Sequence, residues 1–203
     1  MSANGKRAGT PRIIAWEKIP MRIARLALTA LCIAGISTTS ATAEISSVYT
    51  KLDLKKCKLV DSSDKEGSWA EFTCKGYKDM AVRVAEGDLR FFVSYGPDAR
   101  KQVAASQTLG PFNTIHHTLE WRVKKQAGEW VPFATILRYF WDSGDGRKGQ
   151  TLIVTKLDGN EACHVAHIKA DGNANANAEA REAADRESHA FDCASSQLRS
   201  YMQ

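Results

Sequence analysis

Apolar and polar residues alternate almost without interruption between positions 115 and 124. Since successive side chains of a strand point to opposite faces of a sheet, the pattern predicts a strand with one inward and one outward face. The inward set is Ile115, His117, Leu119, Trp121 and Val123, and the outward set is His116, Thr118, Glu120, Arg122 and Lys124. The turn sequence 126–129 then leads into a second strand-like run from Trp130 to Trp141, which is rich in aromatic residues.

A second pair of strands is predicted between Ala81 and Tyr95. Two runs rich in Val and Phe are separated by Gly87-Asp88, and glycine accepts the positive φ angle that a two-residue hairpin turn requires. The sequence 68–74 alternates in the same way. Further strands are expected near 151–157 and 162–169, so most of the chain after the first 43 residues reads as antiparallel sheet.

The C-terminal part of the chain has a different pattern. From Ala174 to about Phe191 it is rich in Ala, Glu and Arg, and Ala180, Ala184 and Phe191 are spaced to share one face of a helix. An asparagine at position 173, 175 or 177 can cap this helix. We therefore predict an α+β fold, a mainly antiparallel β-sheet with a C-terminal α-helix packed on it.

An apolar run near the N-terminus predicts export. Arg22 and Arg25 precede the run 26–36, and the polar stretch after it ends at Ala43 in the small-x-small pattern that a signal peptidase accepts. The run has 11 residues, whereas a permanent membrane helix needs about 20. No permanent membrane span is therefore expected.

Cleavage near Ala43 divides the chain into a signal segment, 1–43, and a single exported domain, 44–203, that is periplasmic or secreted. Met21 is a possible alternative start of translation. The whole chain has 28 basic and 23 acidic residues, but six basic residues and one acidic residue precede position 44, which leaves 22 of each. A neutral exported domain lacks the excess of positive charge that nucleic-acid binding requires, and no nucleic-acid partner is expected.

Four cysteines follow the signal segment: Cys57, Cys74, Cys163 and Cys193. In an exported chain they indicate two disulfides, for which three connectivities are possible. Local pairing of Cys57 with Cys74 and of Cys163 with Cys193 closes the shortest loops and is the arrangement we expect. Zinc binding is disfavoured because the chain has no Cys-x-x-Cys pair.

Two groups of residues suggest metal ligands. His164 and His167 are three positions apart on a predicted strand, so we expect them to face opposite sides, and the adjacent His116 and His117 to diverge as well. The segment 171–182 carries oxygen-bearing side chains at the spacing of an EF-hand calcium loop. However, Ala occupies the position where that loop needs Gly, and helix capping explains the same asparagines. We therefore expect neither a metal nor another cofactor.

No catalytic residue can be assigned from the sequence. There is no Gly-x-Ser-x-Gly sequence and no Gly-rich phosphate loop, and the cysteines are expected to be oxidised. The aromatic residues Trp69, Trp121, Trp130, Tyr139, Phe140 and Trp141 suit a β-rich core. Alternatively, the run from Trp130 to Trp141 exposes one aromatic face as a binding surface.

Three stretches resemble a group of small exported proteins of Gram-negative bacteria whose function is unassigned. They are 76–96, with the predicted hairpin, 132–138, and 163–193, from Cys-His-Val-Ala-His-Ile to Phe-Asp-Cys. The resemblance implies a single periplasmic or secreted domain and no particular activity. In addition, Phe72-x-Cys74-x-Gly76 before a Val-rich strand is similar to periplasmic inhibitors of C-type lysozyme, although no Ser-Gly-rich inhibitory loop is apparent.

The sequence thus favours a non-enzymatic domain that binds a protein or another component of the cell envelope. The alternatives are a lysozyme-inhibitor-like protein and a hydrolase whose active site is assembled from residues distant in sequence. A deep polar cleft with converging histidines and carboxylates would favour the hydrolase, whereas a shallow aromatic surface would favour binding. The oligomeric state is left open.

Overall fold

Two β-sheets and one helix form the part of the chain that the computed structural model describes, residues 43–65, 67–159 and 161–201. The signal segment predicted for 1–43 lies outside these residues, apart from Ala43. The elements are β1 (Ile45–Lys51), β2 (Lys58–Ser63), β3 (Trp69–Lys75), β4 (Ala81–Gly87), β5 (Arg90–Tyr95), β6 (Phe112–Gln126), β7 (Glu129–Asp142), β8 (Lys148–Asp158), β9 (Glu161–Lys169), α1 (Ala176–Glu187) and β10 (Arg199–Tyr201).

The strands are divided between a six-stranded sheet, in the order β1-β6-β7-β8-β9-β10, and a four-stranded sheet, in the order β2-β3-β4-β5. Neighbouring strands are antiparallel except for β9 and β10, which are parallel. The predicted fold class, antiparallel sheet with a C-terminal helix, is confirmed. The division into two sheets was not predicted, because strand-by-strand alternation does not indicate which strands pair.

The main core lies between the two sheets. Leu119, Trp121 and Val123 of β6 are buried there, as predicted, and pack with Val82 and Val84 of β4. Each fully buried side chain of this size contributes about 2 kcal/mol. In contrast, the predicted inward position of His117 was wrong: its side chain is exposed, because β6 bulges between Ile115 and Leu119.

The helix α1 covers the other face of the six-stranded sheet. Its buried residues are all alanines, which let the helix approach closely; they are Ala176, Ala180, Ala183 and Ala184. They pack on Phe133, Leu152 and Val154 of the sheet. The helix ends at Glu187, earlier than predicted, and Phe191 packs beside it from the segment that follows. No helix within the described ranges is long and apolar enough to cross a membrane.

Where α1 covers β6, the polar side chains on that face of the strand are buried. Glu120 and Arg122 are buried and meet two charged side chains of α1. Arg181 donates from Nε to Glu120 Oε1 at 2.6 Å, and Arg122 donates to both oxygens of Asp185 at 2.9 and 2.6 Å. Ser47 of β1 joins the two pairs, since its hydroxyl donates to Glu120 and accepts from Arg122. We call these five residues the helix–sheet charge network.

Both predicted disulfides are confirmed. Cys57 is bonded to Cys74, with Cα atoms 4.6 Å apart, and this bond ties the start of β2 to the end of β3. Cys163 is bonded to Cys193, with Cα atoms 5.7 Å apart, so β9 is tied to the segment that follows α1. Each disulfide thus closes a local loop at one end of an element.

Candidate functional site

A cleft of about 710 Å³ opens at one end of the two sheets. It lies where the turn between β4 and β5 meets the start of β6, the end of β7 and the start of β8, and residue 171 closes it from beyond β9. Ligand sites in proteins typically have volumes of about 300–1,000 Å³. The cleft is therefore large enough for a ligand of several functional groups.

The apolar part of the cleft wall is mainly aromatic. It contains Phe91, Phe112, Phe140 and Trp141, beside Leu89 at the rim. Phe112 and Phe140 are exposed to solvent, unlike the neighbouring core residue Tyr139. The aromatic run from Trp130 to Trp141 is therefore divided: Tyr139 is buried in the core, Trp141 packs against the core and lines the cleft, and Phe140 is exposed in the cleft. Because adjacent residues of a strand point to opposite faces, Phe140 and Trp141 do not form the single exposed aromatic face that the sequence offered as the alternative.

Leu89, at the tip of the β4–β5 hairpin, forms the rim of the cleft and is 63% exposed. The turn was predicted at Gly87-Asp88, but Gly87 pairs with Arg90 within the strands, so this prediction was wrong by one residue. The turn residues are Asp88 and Leu89, with φ angles of 51° and 57°. A left-handed backbone costs an L-residue about 1–2 kcal/mol, and such strain concentrates at functional sites.

The free edge of β5, which borders the cleft, is closed by side chains. Asn113 Oδ1 accepts from Phe91 N at 3.0 Å, and the Thr108 hydroxyl donates to Phe91 O at 2.6 Å. Further along the strand, Gln102 accepts from the amide of Tyr95 and donates to its carbonyl oxygen. An added strand would need these backbone groups. Binding in the cleft therefore depends on side chains rather than on strand addition.

Gly149 lets Trp141 and Asp171 come together in the cleft wall. A Cβ atom on Gly149 would lie 2.4 Å from Trp141 Cζ2 and 2.4 Å from Asp171 Oδ2. Asp171 Oδ2 also accepts from the backbone N–H of Gln150 at 2.6 Å, which holds the carboxylate at this position. The Trp141 indole N–H is buried and has no hydrogen-bond partner among the described residues.

Gly149→Ala should lower the free energy of unfolding by about 2 kcal/mol, because the added methyl group overpacks a site already filled by Trp141 and Asp171. It should also change the intrinsic tryptophan fluorescence. Denaturant titration with fluorescence detection measures both effects. Gly110→Ala is the matched control, since no atom lies within 4 Å of its added Cβ, and a shift there of similar size would contradict the packing argument.

Three ion pairs lie in the two turns that border the cleft, 142–148 and 88–90, and the first of them lines the cleft itself. Lys148 Nζ lies 2.8 Å from Asp142, Arg147 lies 2.8 Å from Asp145, and Arg90 pairs with Asp88. The hydrogen bond from Lys148 and the backbone N–H of Gly144 hold the pKa of Asp142 below its usual range. Asp142 is therefore ionised at neutral pH, and it serves as a hydrogen-bond acceptor and not as a proton donor.

The structure brings His164 and His167 together, which corrects the prediction that they face opposite sides. Val165 forms a bulge in β9, because His164 pairs with Thr155 while Ala166 pairs with the adjacent Val154. This extra residue shifts the alternation of β9 by one position, so that His164 and His167 lie on the same face of the strand. His164 Nδ1 lies 3.0 Å from His167 Nε2, and both side chains are buried inside the sandwich.

Burial, together with a smaller effect of the neighbouring His167, lowers the pKa of His164 to about 3. Burial likewise lowers the pKa of His167 to about 4. Both rings are therefore neutral at physiological pH. His167 lines a second cavity of about 310 Å³, which Trp141 separates from the aromatic cleft.

His116 and His117 do not diverge either, so that prediction was also wrong. Their ring centroids are 4.1 Å apart, because both lie in the bulge of β6 where strict alternation is lost. His116 Nδ1 accepts from the backbone N–H of Thr118 at 3.1 Å. In the described ranges, no group of three or more His, Cys, Asp or Glu side chains is placed to hold a metal ion.

The asparagines of the segment 171–182 take part in the entry to the helix. Asn173 Oδ1 accepts from Asn175 N at 2.9 Å, and Asn173 Nδ2 donates to Glu179. Asn175 occupies the cap position without a side-chain hydrogen bond. From Ala176 onwards the segment is helical, so its second half follows the helix and does not wrap a central point as a calcium loop does.

Comparisons with protein-family models, with curated proteins and with solved structures found no match for this chain.

Proposed function

We propose that this chain is an exported, non-enzymatic binding domain and that the aromatic cleft is its ligand site. The observation that carries the proposal is the exposure of Leu89, Phe112 and Phe140 around one concave opening. Exposed apolar residues scattered singly are ordinary, whereas a contiguous apolar patch in a cleft is typical of a binding site.

The conformation of Leu89 supports the same assignment. The second residue of this two-residue turn has a positive φ angle, a conformation in which Asn or Gly is favoured. Here the residue is a strained leucine, and its side chain is exposed. Folding alone gains nothing from this choice, because the strain is not offset by burial. A ligand that covers Leu89 supplies the missing burial.

The polar groups of the cleft suit recognition. Its carboxylates and amides can form hydrogen bonds with a ligand, and His167 of the buried histidine pair lines a different cavity. Asp142 is held in its ionised form by Lys148. These features favour binding over hydrolysis.

Site-specific photocrosslinking in the native host tests the cleft directly. p-Benzoylphenylalanine at position 140, in the cleft, should give a crosslinked product. The same group at position 69 is the control, because Trp69 is exposed to a similar extent but lies outside the cleft. Equal products from both positions, or none from position 140, would overturn the assignment of the ligand site.

Leu89→Asn should raise the free energy of unfolding by about 1 kcal/mol, because Asn adopts the left-handed conformation at lower cost. The same change should weaken the crosslink from position 140, since it removes the apolar rim. Thermal denaturation and the crosslinking yield measure the two effects. Asp88→Asn changes the neighbouring turn residue but retains Leu89, and so it should keep the crosslink.

The proposal of export is supported and tested independently of the cleft. The two disulfides are compatible with an oxidising compartment, and the apolar run 26–36 has the length of a signal segment. Mass spectrometry of the extracytoplasmic fraction should find a mature N-terminus at Glu44. Recovery of the intact chain, mainly in the cytoplasm, would refute export while leaving the cleft assignment standing.

A further inference from the structure

The charge around the cleft is unbalanced once the ion pairs are taken into account. Lys148, the one basic side chain among the described residues that line the cleft, pairs with Asp142, and in the two turns that border the cleft Arg147 pairs with Asp145 and Arg90 with Asp88. Two carboxylates in the cleft wall, those of Glu86 and Asp171, have no cationic partner among the described residues.

Glu86 occupies a position of β4 at which the alternation of the strand predicts an apolar residue. Val82 and Val84 precede it on the inner face of β4, and both are buried in the core. Alternation places Glu86 on that same face, where it is opposite Phe91 of β5. The side chain has no hydrogen bond or ion pair within the described residues, so the fold gains nothing from its charge.

Asp171 is held in the cleft from the other side. Its Oδ2 atom accepts from the backbone N–H of Gln150 and meets Gly149 beside the ring of Trp141. A neutral backbone donor does not compensate a full negative charge. The cleft thus combines aromatic walls with two uncompensated carboxylates.

On the basis of the proposed function, we infer that the ligand is a basic peptide segment in which a Lys or Arg side chain lies next to an apolar side chain. The cation neutralises Glu86 and Asp171, and the apolar side chain covers Phe112, Phe140 and Leu89. The aromatic faces also attract the cation through their negative quadrupoles. Since the edge of β5 is closed by Asn113 and Gln102, the peptide is held through its side chains.

Three capped tripeptides test the inference: acetyl-Lys-Phe-Lys-amide, acetyl-Gln-Phe-Gln-amide and acetyl-Glu-Phe-Glu-amide. Amide chemical-shift titrations of the full exported chain give the affinity and the location of each, with the Trp141 indole as the reporter in the cleft. At low salt the basic peptide should bind about five-fold more tightly than the neutral one, and the acidic peptide most weakly. At 1 M salt, where the Debye length is about 3 Å, the difference should nearly vanish.

Glu86→Gln should reduce the advantage of the basic peptide to about two-fold and leave the neutral peptide unchanged. Glu161→Gln, at the far end of the six-stranded sheet, is the matched control and should change neither affinity. Equal binding of all three peptides in the cleft would overturn the inference while supporting a ligand site there. Tightest binding by the acidic peptide, or perturbations confined to residues outside the cleft, would overturn it as well, and the crosslinking test would then judge the proposed function separately.

Discussion

Asp185→Ala should lower the free energy of unfolding by about 3 kcal/mol, and Arg122→Met, on the other side of the same ion pair, by only about 1 kcal/mol. The difference arises from unequal burial. The Arg122 side chain is 9% exposed, whereas Asp185 is 28% exposed. Removing the aspartate leaves a buried guanidinium without its carboxylate, but removing the arginine leaves an aspartate that water can reach.

The double variant Asp185→Ala/Arg122→Met should be more stable than Asp185→Ala alone. It retains no uncompensated charge at this position, and replacement of a buried ion pair by apolar groups is often nearly neutral. Urea denaturation of the wild type, both single variants and the double variant completes the thermodynamic cycle.

Glu182→Ala on the same helix is the control. Glu182 forms an ion pair with Arg186 in which both side chains are exposed, so the change should stay within about 0.5 kcal/mol. A cost as large as that of Asp185→Ala, or equal costs for the two partners of the buried pair, would contradict the role of burial in the helix–sheet charge network.

Acidification from pH 7 to pH 4 should lower the free energy of unfolding by at least about 3 kcal/mol through the histidine pair. Burial lowers the pKa of His164 to about 3 and that of His167 to about 4, against an ordinary value of 6.5. Between these limits the unfolded chain binds more protons than the folded one. The stability contributed by the neutral pair is therefore complete above pH 6.5 and is lost as the pH falls towards 3.

The double variant His164→Gln/His167→Gln isolates this contribution, because its amide side chains can form a hydrogen bond but do not titrate. Urea denaturation at pH 7, 5.5 and 4 should give a smaller loss of stability for this variant than for the wild type. His189→Gln is the control, since His189 is exposed and lies outside the pair. Equal pH dependence in the wild type and the double variant would refute the assignment.

Local patterns of the sequence predicted what depends on neighbouring residues. The alternation of Leu119, Trp121 and Val123 predicted one buried face of β6, and the spacing of Ala180 and Ala184 predicted the packing face of the helix. Consecutive cysteines were correctly paired because short loops close at the lowest entropic cost. The first two features depend on the periodicity of the side chains and the third on sequence separation, and both can be read directly from the sequence.

The bulges could not be predicted in this way. A single extra residue, Val165, reverses the side on which every later residue of β9 lies, and the sequence around it has no glycine to indicate a bulge. The histidine pair depends on that one residue. β2 was missed for a different reason: Leu59 and Val60 are both exposed, so this edge strand lacks the alternation of a half-buried strand.

The cleft was missed because its residues come from five separate segments of the chain. Two local inconsistencies would have indicated it. Leu89 stands where a turn favours Asn or Gly, and Glu86 stands where the series Val82, Val84 predicts another apolar residue. Positions that contradict the local rule without a gain in folding stability are where functional sites are expected.

The order of the disulfides has a consequence for how the chain matures. Each bond joins cysteines that are consecutive along residues 44–203, across separations of 17 and 30 residues. A chain that emerges N-terminus first presents Cys57 and Cys74 before either later cysteine is available. An oxidant that joins each pair as it appears would form the native bonds in sequence. Maturation would then require an oxidase but no isomerase to reshuffle mispaired bonds.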